Sequence, residues 1–317
     1  MASTPKVSLK PEIPEELKAE LAESKWGKVL SITPVVMTVI ATMLAGLASS
    51  EMTRAQYERS LAAQRQSKAG DQWNFFQGKK LRGMLQRATL EMIANTAEVR
   101  LLDLAALRAA LAGTPAAALL EAEAGQQAWR SLREGALPKL SAAPVPAATV
   151  HDALVALEES RSDEELARRL GRVAGGELDE SLRAALAHAL AFDGLIKPVG
   201  QAIEQFERQL AVAANAALRR DFTAARLAYA AQRYDAEARL NQTIAGLYEL
   251  QVRKSNLAAE RHHRRSSRFF YGMLAAQAGV IVATLAMAAQ KRNLLWGIAA
   301  GAGAVAVSFA VYVLAYV

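Results

Sequence analysis

Cysteine is absent from this chain, aromatic residues make up only 6% of it, and three stretches of more than twenty residues carry no charge. The missing thiols exclude a disulfide framework and thiolate metal centres, and leave the compartment open. The missing charges set the class. Residues 29–50, "VLSITPVVMTVIATMLAGLASS", lie uncharged between Lys28 and Glu51. Residues 269–290, "FFYGMLAAQAGVIVATLAMAAQ", lie uncharged between Arg268 and Lys291, and no charge follows Arg292 in residues 293–317. Each run meets the need for about 20 apolar residues to cross a bilayer. A cleaved signal peptide ending near Gly46-Leu47-Ala48 is the competing reading of the first run. Its length, and the 28-residue tail before it, favour a signal-anchor helix, because a signal core spans only about 7–15 residues.

Basic residues near the span ends give the orientation. Ten lie on the side of the central region: Arg54, Arg59, Arg65, Lys68, Arg253, Lys254, Arg261, Arg264, Arg265 and Arg268. Six lie opposite: Lys10, Lys18, Lys25, Lys28, Lys291 and Arg292. The bias predicts a cytoplasmic central region and C-terminus, with the N-terminus outside. Trp26 and Trp296 then fall at the outer interface, and Phe269, Phe270, Tyr271, Tyr312 and Tyr316 at the inner one, as aromatic belts do.

Helix-forming residues without proline fill 51–112, until "GTP" at 113–115 stops the run. A second such run covers 201–268, after Pro198 and Gly200. These arms of 62 and 68 residues adjoin spans and predict an antiparallel hairpin roughly 90–100 Å long. The expected fold is an all-α integral membrane protein. It has an N-terminal tail with a short amphipathic helix (1–28), spans at 29–50, 269–290 and 293–317, stalk arms at 51–112 and 201–268, and an Ala-rich helical cap at 113–200. Within the cap, helices are expected at 115–134, 149–159, 163–173 and 177–192, with Ser162 and Glu165 forming a capping box. Its alanine content argues against a compact pocket but allows a protein-partner surface.

"AGDQWNFFQGKK" at 69–80 concentrates three aromatic rings in one arm. If residue i of the first arm lies near 319 − i of the second, Trp73 meets Gly246, Asp71 lies near Tyr248 and Gly78 near Asn241. This predicts a clasp of Asp71, Trp73, Phe75, Phe76, Gly78, Gly246 and Tyr248, with Asp71 in an interhelical ion pair or cap. Trp73 and Phe76 share one helix face while Asp71 and Phe75 share another. Apolar groups on two faces call for a third helix, most simply from another copy of the chain.

Asp71 to Lys79, followed after a charged helical middle by Arg261-His262-His263-Arg264-Arg265 and two closing spans, resembles a family of bacterial membrane proteins labelled domain of unknown function 4337. The resemblance covers roughly 29–100 and 220–317, with 113–199 as an insertion. It implies architecture and no activity.

Reaction chemistry finds no support. Walker loops, dinucleotide fingerprints and catalytic triads are missing, and His262 and His263, being adjacent, point apart on a helix. His151 and His188 have no ligand-spaced neighbours, so neither metal nor cofactor is expected. Arg253, Lys254, Arg261, Arg264, Arg265 and Arg268 form a basic collar whose net charge of +5, with Glu260, equals that of all of 51–268. Beside a bilayer such a collar favours anionic phospholipid over nucleic acid, at about 1 kcal/mol per side chain. Charge-free spans argue against a coupled transporter. Gly279, Gly297 and Gly301 are expected to pack the last two spans together. The function expected is a non-enzymatic homo-oligomeric membrane scaffold or tether. The alternative is an oligomeric pore lined by Thr38, Thr42, Gln277, Thr284 and small residues.

Overall fold

The computed structural model describes residues 25–142, 144–289 and 292–316, and among these it contains helices and no strands. The predicted amphipathic helix, Lys10, Lys18 and Lys291 lie outside them, as do the side chains of Lys25, Trp26, Lys28 and Arg292. In chain order the helices are α1 (Lys25–Thr96), α2 (Leu104–Leu111), α3 (Pro115–Glu121), α4 (Glu123–Glu134), α5 (Ala148–Glu158), α6 (Asp163–Leu170), α7 (Glu177–Ala211), α8 (Ala216–Ala288) and α9 (Arg292–Tyr316). The chain divides into two compact units. The first combines residues up to Arg59 with Asn256–Val317, and the second is Ser60–Ser255.

In the first unit α1, α8 and α9 each contain a stretch long and apolar enough to cross a membrane, with mean hydropathies of 1.9, 1.7 and 2.1. Only 22%, 33% and 22% of these stretches is buried within the chain. That much exposed apolar surface requires lipid or another chain around it. The inward faces are Met37, Ala41, Leu44, Ala48, Glu51 and Ala55 on α1 and Phe269, Gly272, Ala276, Gly279, Ala283 and Ala286 on α8. On α9 they are Ala299, Gly303, Ala306 and Val313. Steps alternating between three and four keep one seam of a helix on its neighbour.

The small residues let backbones approach. A Cβ on Gly272 would lie 3.3 Å from Leu44 Cδ1 and 3.4 Å from the Ala306 carbonyl; one on Gly279 would lie 3.3 Å from the Ala299 carbonyl. Gly303 abuts the thioether of Met37. The expected face of α9 is therefore corrected. Gly297 and Gly301 have open space where a Cβ would stand, and the packed face runs instead through Ala299, Gly303 and Ala306. Two polar bonds fix the bundle: Ser266 Oγ donates to the Ala48 carbonyl at 2.7 Å, and Trp296 Nε1 to Thr33 Oγ1 at 3.1 Å.

In the second unit α1 and α8 run antiparallel. Arg65 donates to Ser255 at 2.8 Å, Lys68 lies 5.9 Å over the Tyr248 ring, Lys79 pairs with Glu237 and Arg87 with Asp235. A core of large side chains holds α2, α3 and α4 against α7 and the start of α8. It includes Leu107, Leu111, Leu120, Trp129, Ile203, Phe206 and Phe222.

Several helix ends differ from expectation. The first arm stops at Thr96, not at 112, without glycine or proline. Asp103 starts α2 by accepting from the N–H groups of Ala105 and Ala106 at 3.2 and 3.1 Å, and the break lets Leu102 and Leu107 enter the core. The helix expected at 115–134 is two, bent at Ala122 with ψ 158°. There α4 comes so close that a Cβ on Gly125 would collide with the Leu119 carbonyl. Conversely, α7 continues through Pro198 to Ala211. An internal proline costs about 3 kcal/mol, but Pro198 and Gly194, four residues before it, both lie on the exposed side. The buried row Phe192, Ile196, Val199, Ile203, Phe206 and Leu210 outweighs that cost. The second arm is interrupted instead at 212–215, where Asn215 accepts from Leu218 N–H at 3.0 Å to start α8.

Candidate functional site

The aromatic segment forms one wall of a groove in the second unit. Trp73 comes from α1, Leu154, Val155 and Leu157 from α5, and Gly246 from α8; the volume is about 720 Å³. Alanine content had argued against such a pocket, but α5 turns large residues toward α8. Leu154 Cδ2 would stand 3.1 Å from a Cβ on Gly246, so the glycine lets α5 sit down on α8. Trp73 is braced by Phe76, edge to face, with ring centres 5.5 Å apart and planes at 81°.

The α5–α6 hairpin is held over this groove by polar ties. Arg253 Nη1 donates to Asp163 at 2.6 Å and Nη2 to Glu249 at 3.3 Å. Lys254 Nζ donates to the carbonyls of Val173 and Ala174 at 2.9 and 3.1 Å. Gln251 donates to Asp179 at 2.6 Å. Glu177 accepts from the Thr149 hydroxyl at 2.8 Å and from Ala174 N–H at 3.0 Å. Those bonds hold its carboxyl below the usual carboxylate range, the Thr149 hydroxyl contributing most. At the start of α6, Ser162 Oγ accepts from Glu165 N–H at 3.3 Å. The Glu165 carboxylate pairs with Arg169 at 2.6 Å, so half of the capping box forms.

The structure brings Trp73 and Gly246 to the same groove, Phe76 to Trp73, and Tyr248 under Lys68. Asp71, Phe75 and Gly78 turn outward. Asp71 is exposed and makes no ion pair among the described residues; the interhelical pairs there belong to Lys79 and Arg87. Phe75 is 56% exposed, and Gly78 has nothing within 4 Å of a notional Cβ. The close-approach glycine of this helix is Gly83, whose Cβ would lie 3.2 Å from Asp235 Oδ1 and 3.5 Å from the Ala231 carbonyl. A signal for it exists: Ala55, Ala62, Ala69, Phe76 and Gly83 recur every seven residues and mark the inward face.

The basic series divides by its contacts. Arg253 and Lys254 are engaged with α6 and the turn after it, as above. In the first unit Arg261 is exposed, Arg264 pairs with Glu260, Arg265 is half-buried and the Arg268 guanidinium lies 5.1 Å over the Tyr312 ring. These four arginines share one face of α8, being spaced three, one and three apart. His262 Nδ1 lies 2.6 Å from Glu51, which also accepts from Arg54 at 3.3 Å. No sequence signal pointed to this pair, whose members stand 211 residues apart. Among the described residues no three His, Cys, Asp or Glu side chains gather as metal ligands would.

Residues 26–126 match the family described as Domain of unknown function (DUF4337). The matched stretch takes in nearly all of α1 and runs through α2 and α3 into α4. It includes the expected 29–100, passes the boundary expected at 113, and does not reach 220–317. No curated protein and no solved structure matches the chain.

Proposed function

We propose that this chain is a non-enzymatic, homo-oligomeric scaffold or tether of a bacterial inner membrane, carrying a long helical hairpin stalk capped by short helices. The observation that carries this reading is the combination, in one chain, of three charge-free apolar stretches with an extensive helical unit. Charges inside the membrane mark most ion and proton pathways, so their absence favours support over transport. Arg261, Arg264, Arg265 and Arg268 supply the contact with anionic phospholipid. The Trp73 groove supplies a surface for a protein partner. The side of the stalk is cytoplasmic, from the ten basic residues against six.

The pore reading draws on the same threonines, but Thr38, Thr42 and Thr284 donate to the carbonyls of Pro34, Thr38 and Val280 in their own helices, at 2.8, 2.9 and 2.8 Å. Those hydroxyls serve the backbone first. Native mass measurement in mild detergent and conductance across planar bilayers form the test. Oligomers without conductance support the scaffold; steady single-channel currents replace it with the pore. Reporters fused after Val317 and within residues 137–148 should both behave as cytoplasmic, and two periplasmic readings would invert the orientation.

A further inference from the structure

On the side of α1 turned away from α8, a second apolar row is uncovered. Asn74, Gly78, Leu81, Leu85, Ala88 and Met92 follow one another at steps of four, three, four, three and four. Leu81, Leu85 and Met92 are 64%, 60% and 64% exposed. Gly78 faces open space. At about 100° per residue the row is centred roughly opposite Gly83, the residue whose face meets α8. Among the described residues no element of the same chain covers it.

We infer that residues 74–92 of α1 pair, parallel and in register, with the same residues of a second copy of this chain. The inference rests on the homo-oligomeric reading above and names its contact. The alternating steps of four and three are the knob spacing that fits another α-helix. Lys79, Lys80, Arg82, Arg87 and Glu91 are interspersed with the row, so the segment is not a bilayer-spanning stretch. The row is also self-complementary. Pairing it with its twin sets Leu81 on Leu81 and Leu85 on Leu85, and sets Asn74 amides against each other, where they can exchange hydrogen bonds.

The flanking positions then bring Gln77 to Arg82, Met84 to Thr89 and Glu91 to Thr96, with no like charges opposed. Antiparallel pairing would instead set the Asn74 amide on the Met92 thioether and leave it without a strong partner. The seam is short, about 27 Å at 1.5 Å per residue, so it is weak alone. Copies held in one membrane meet at a raised effective concentration, which offsets that weakness.

Cysteine-free sequence makes the test direct. Single Leu81→Cys and Leu85→Cys variants of the full chain, oxidised in membranes, should each give a covalent dimer, since twin positions in a parallel seam bring Cβ atoms within disulfide reach. Lys80→Cys, on the outer flank, should not. A Leu81→Lys, Leu85→Lys double variant, helical by circular dichroism, should dimerise at least about tenfold more weakly, because two buried leucines per chain are lost. If Lys80→Cys links as well as Leu81→Cys, the seam is wrong. If native mass shows oligomers while neither seam cysteine links, the seam is overturned and the oligomer stands. A monomeric mass with no link at any position removes both.

Discussion

The two units of this protein are both helical, yet they are filled with different residues. Ala41, Ala48, Gly272, Ala276, Gly279, Ala283, Ala299, Gly303 and Ala306 line the interior of the apolar bundle. Leu107, Leu111, Leu120, Trp129, Phe206 and Phe222 fill the core between α2–α4 and α7–α8. In water a large side chain gains roughly 1.5–3 kcal/mol on burial, so a core there is built of leucine and phenylalanine. Lipid tails are as apolar as leucine, and helices among them gain by close backbone approach instead. The contrast teaches where each unit finds its stability: one in area removed from water, the other in distance between backbones.

The largest effect expected from that contrast is at Phe206, fully buried in the second unit. Phe206→Ala should cost about 3–5 kcal/mol, measured as a lowered midpoint of denaturant unfolding or early proteolysis within residues 60–255. Leu44→Ala, in the apolar bundle, should cost clearly less, because the leucine it removes loses no refuge from water. Equal losses would break the distinction. Next comes Gly279→Leu, which forces a side chain toward the Ala299 carbonyl and Met37 and should cost about 1–3 kcal/mol by overpacking. Gly297→Leu should leave the packing within one chain unchanged. Resistance of the folded bundle to denaturing detergent checks both, and reversed results would restore the rejected face of α9.

A smaller effect is confined to the second unit and to high pH. Burial pushes the Tyr229 hydroxyl up to about 12 from its ordinary 10.0. Between these values the unfolded chain has released the proton and the folded chain keeps it, so stability falls as pH rises through that window. Tyr229→Phe should flatten that slope in thermal unfolding followed from pH 9 to 12, and it should cost little at neutral pH, since among the described residues the hydroxyl has no hydrogen-bond partner. The smallest expected change is Asp103→Ala. It removes the cap of α2 and should lower stability by about 1 kcal/mol, again within the second unit alone.

Much of the layout was legible in advance because its signals are local. A charge-free run declares itself residue by residue, and Ser162 announces the start of α6. The helix end at Thr96 was hidden, since no glycine or proline marks it; the core's demand for Leu102 and Leu107 sets it. Pro198 misled for the converse reason, as a strong local breaker overruled by the buried row from Phe192 to Leu210. Gly78 looked like the glycine of close approach because it lies in the aromatic segment, whereas Gly83 lies on the face that meets α8.

By itself the sequence determined which stretches are apolar enough to cross a bilayer, that most of the other described residues are helical, and that no thiol chemistry occurs. Only the tertiary structure decided which way each helix is turned about its own axis. A membrane helix is apolar on every side, so its pattern carries no phase, and Gly297 and Gly303 look equally fit for packing. Their difference comes from neighbours: Met37 reaches across from α1 to fill the space beside Gly303, and among the described residues nothing approaches Gly297. The pairing of Glu51 with His262 arises in the same way, from two helix faces brought together across 211 residues of intervening chain.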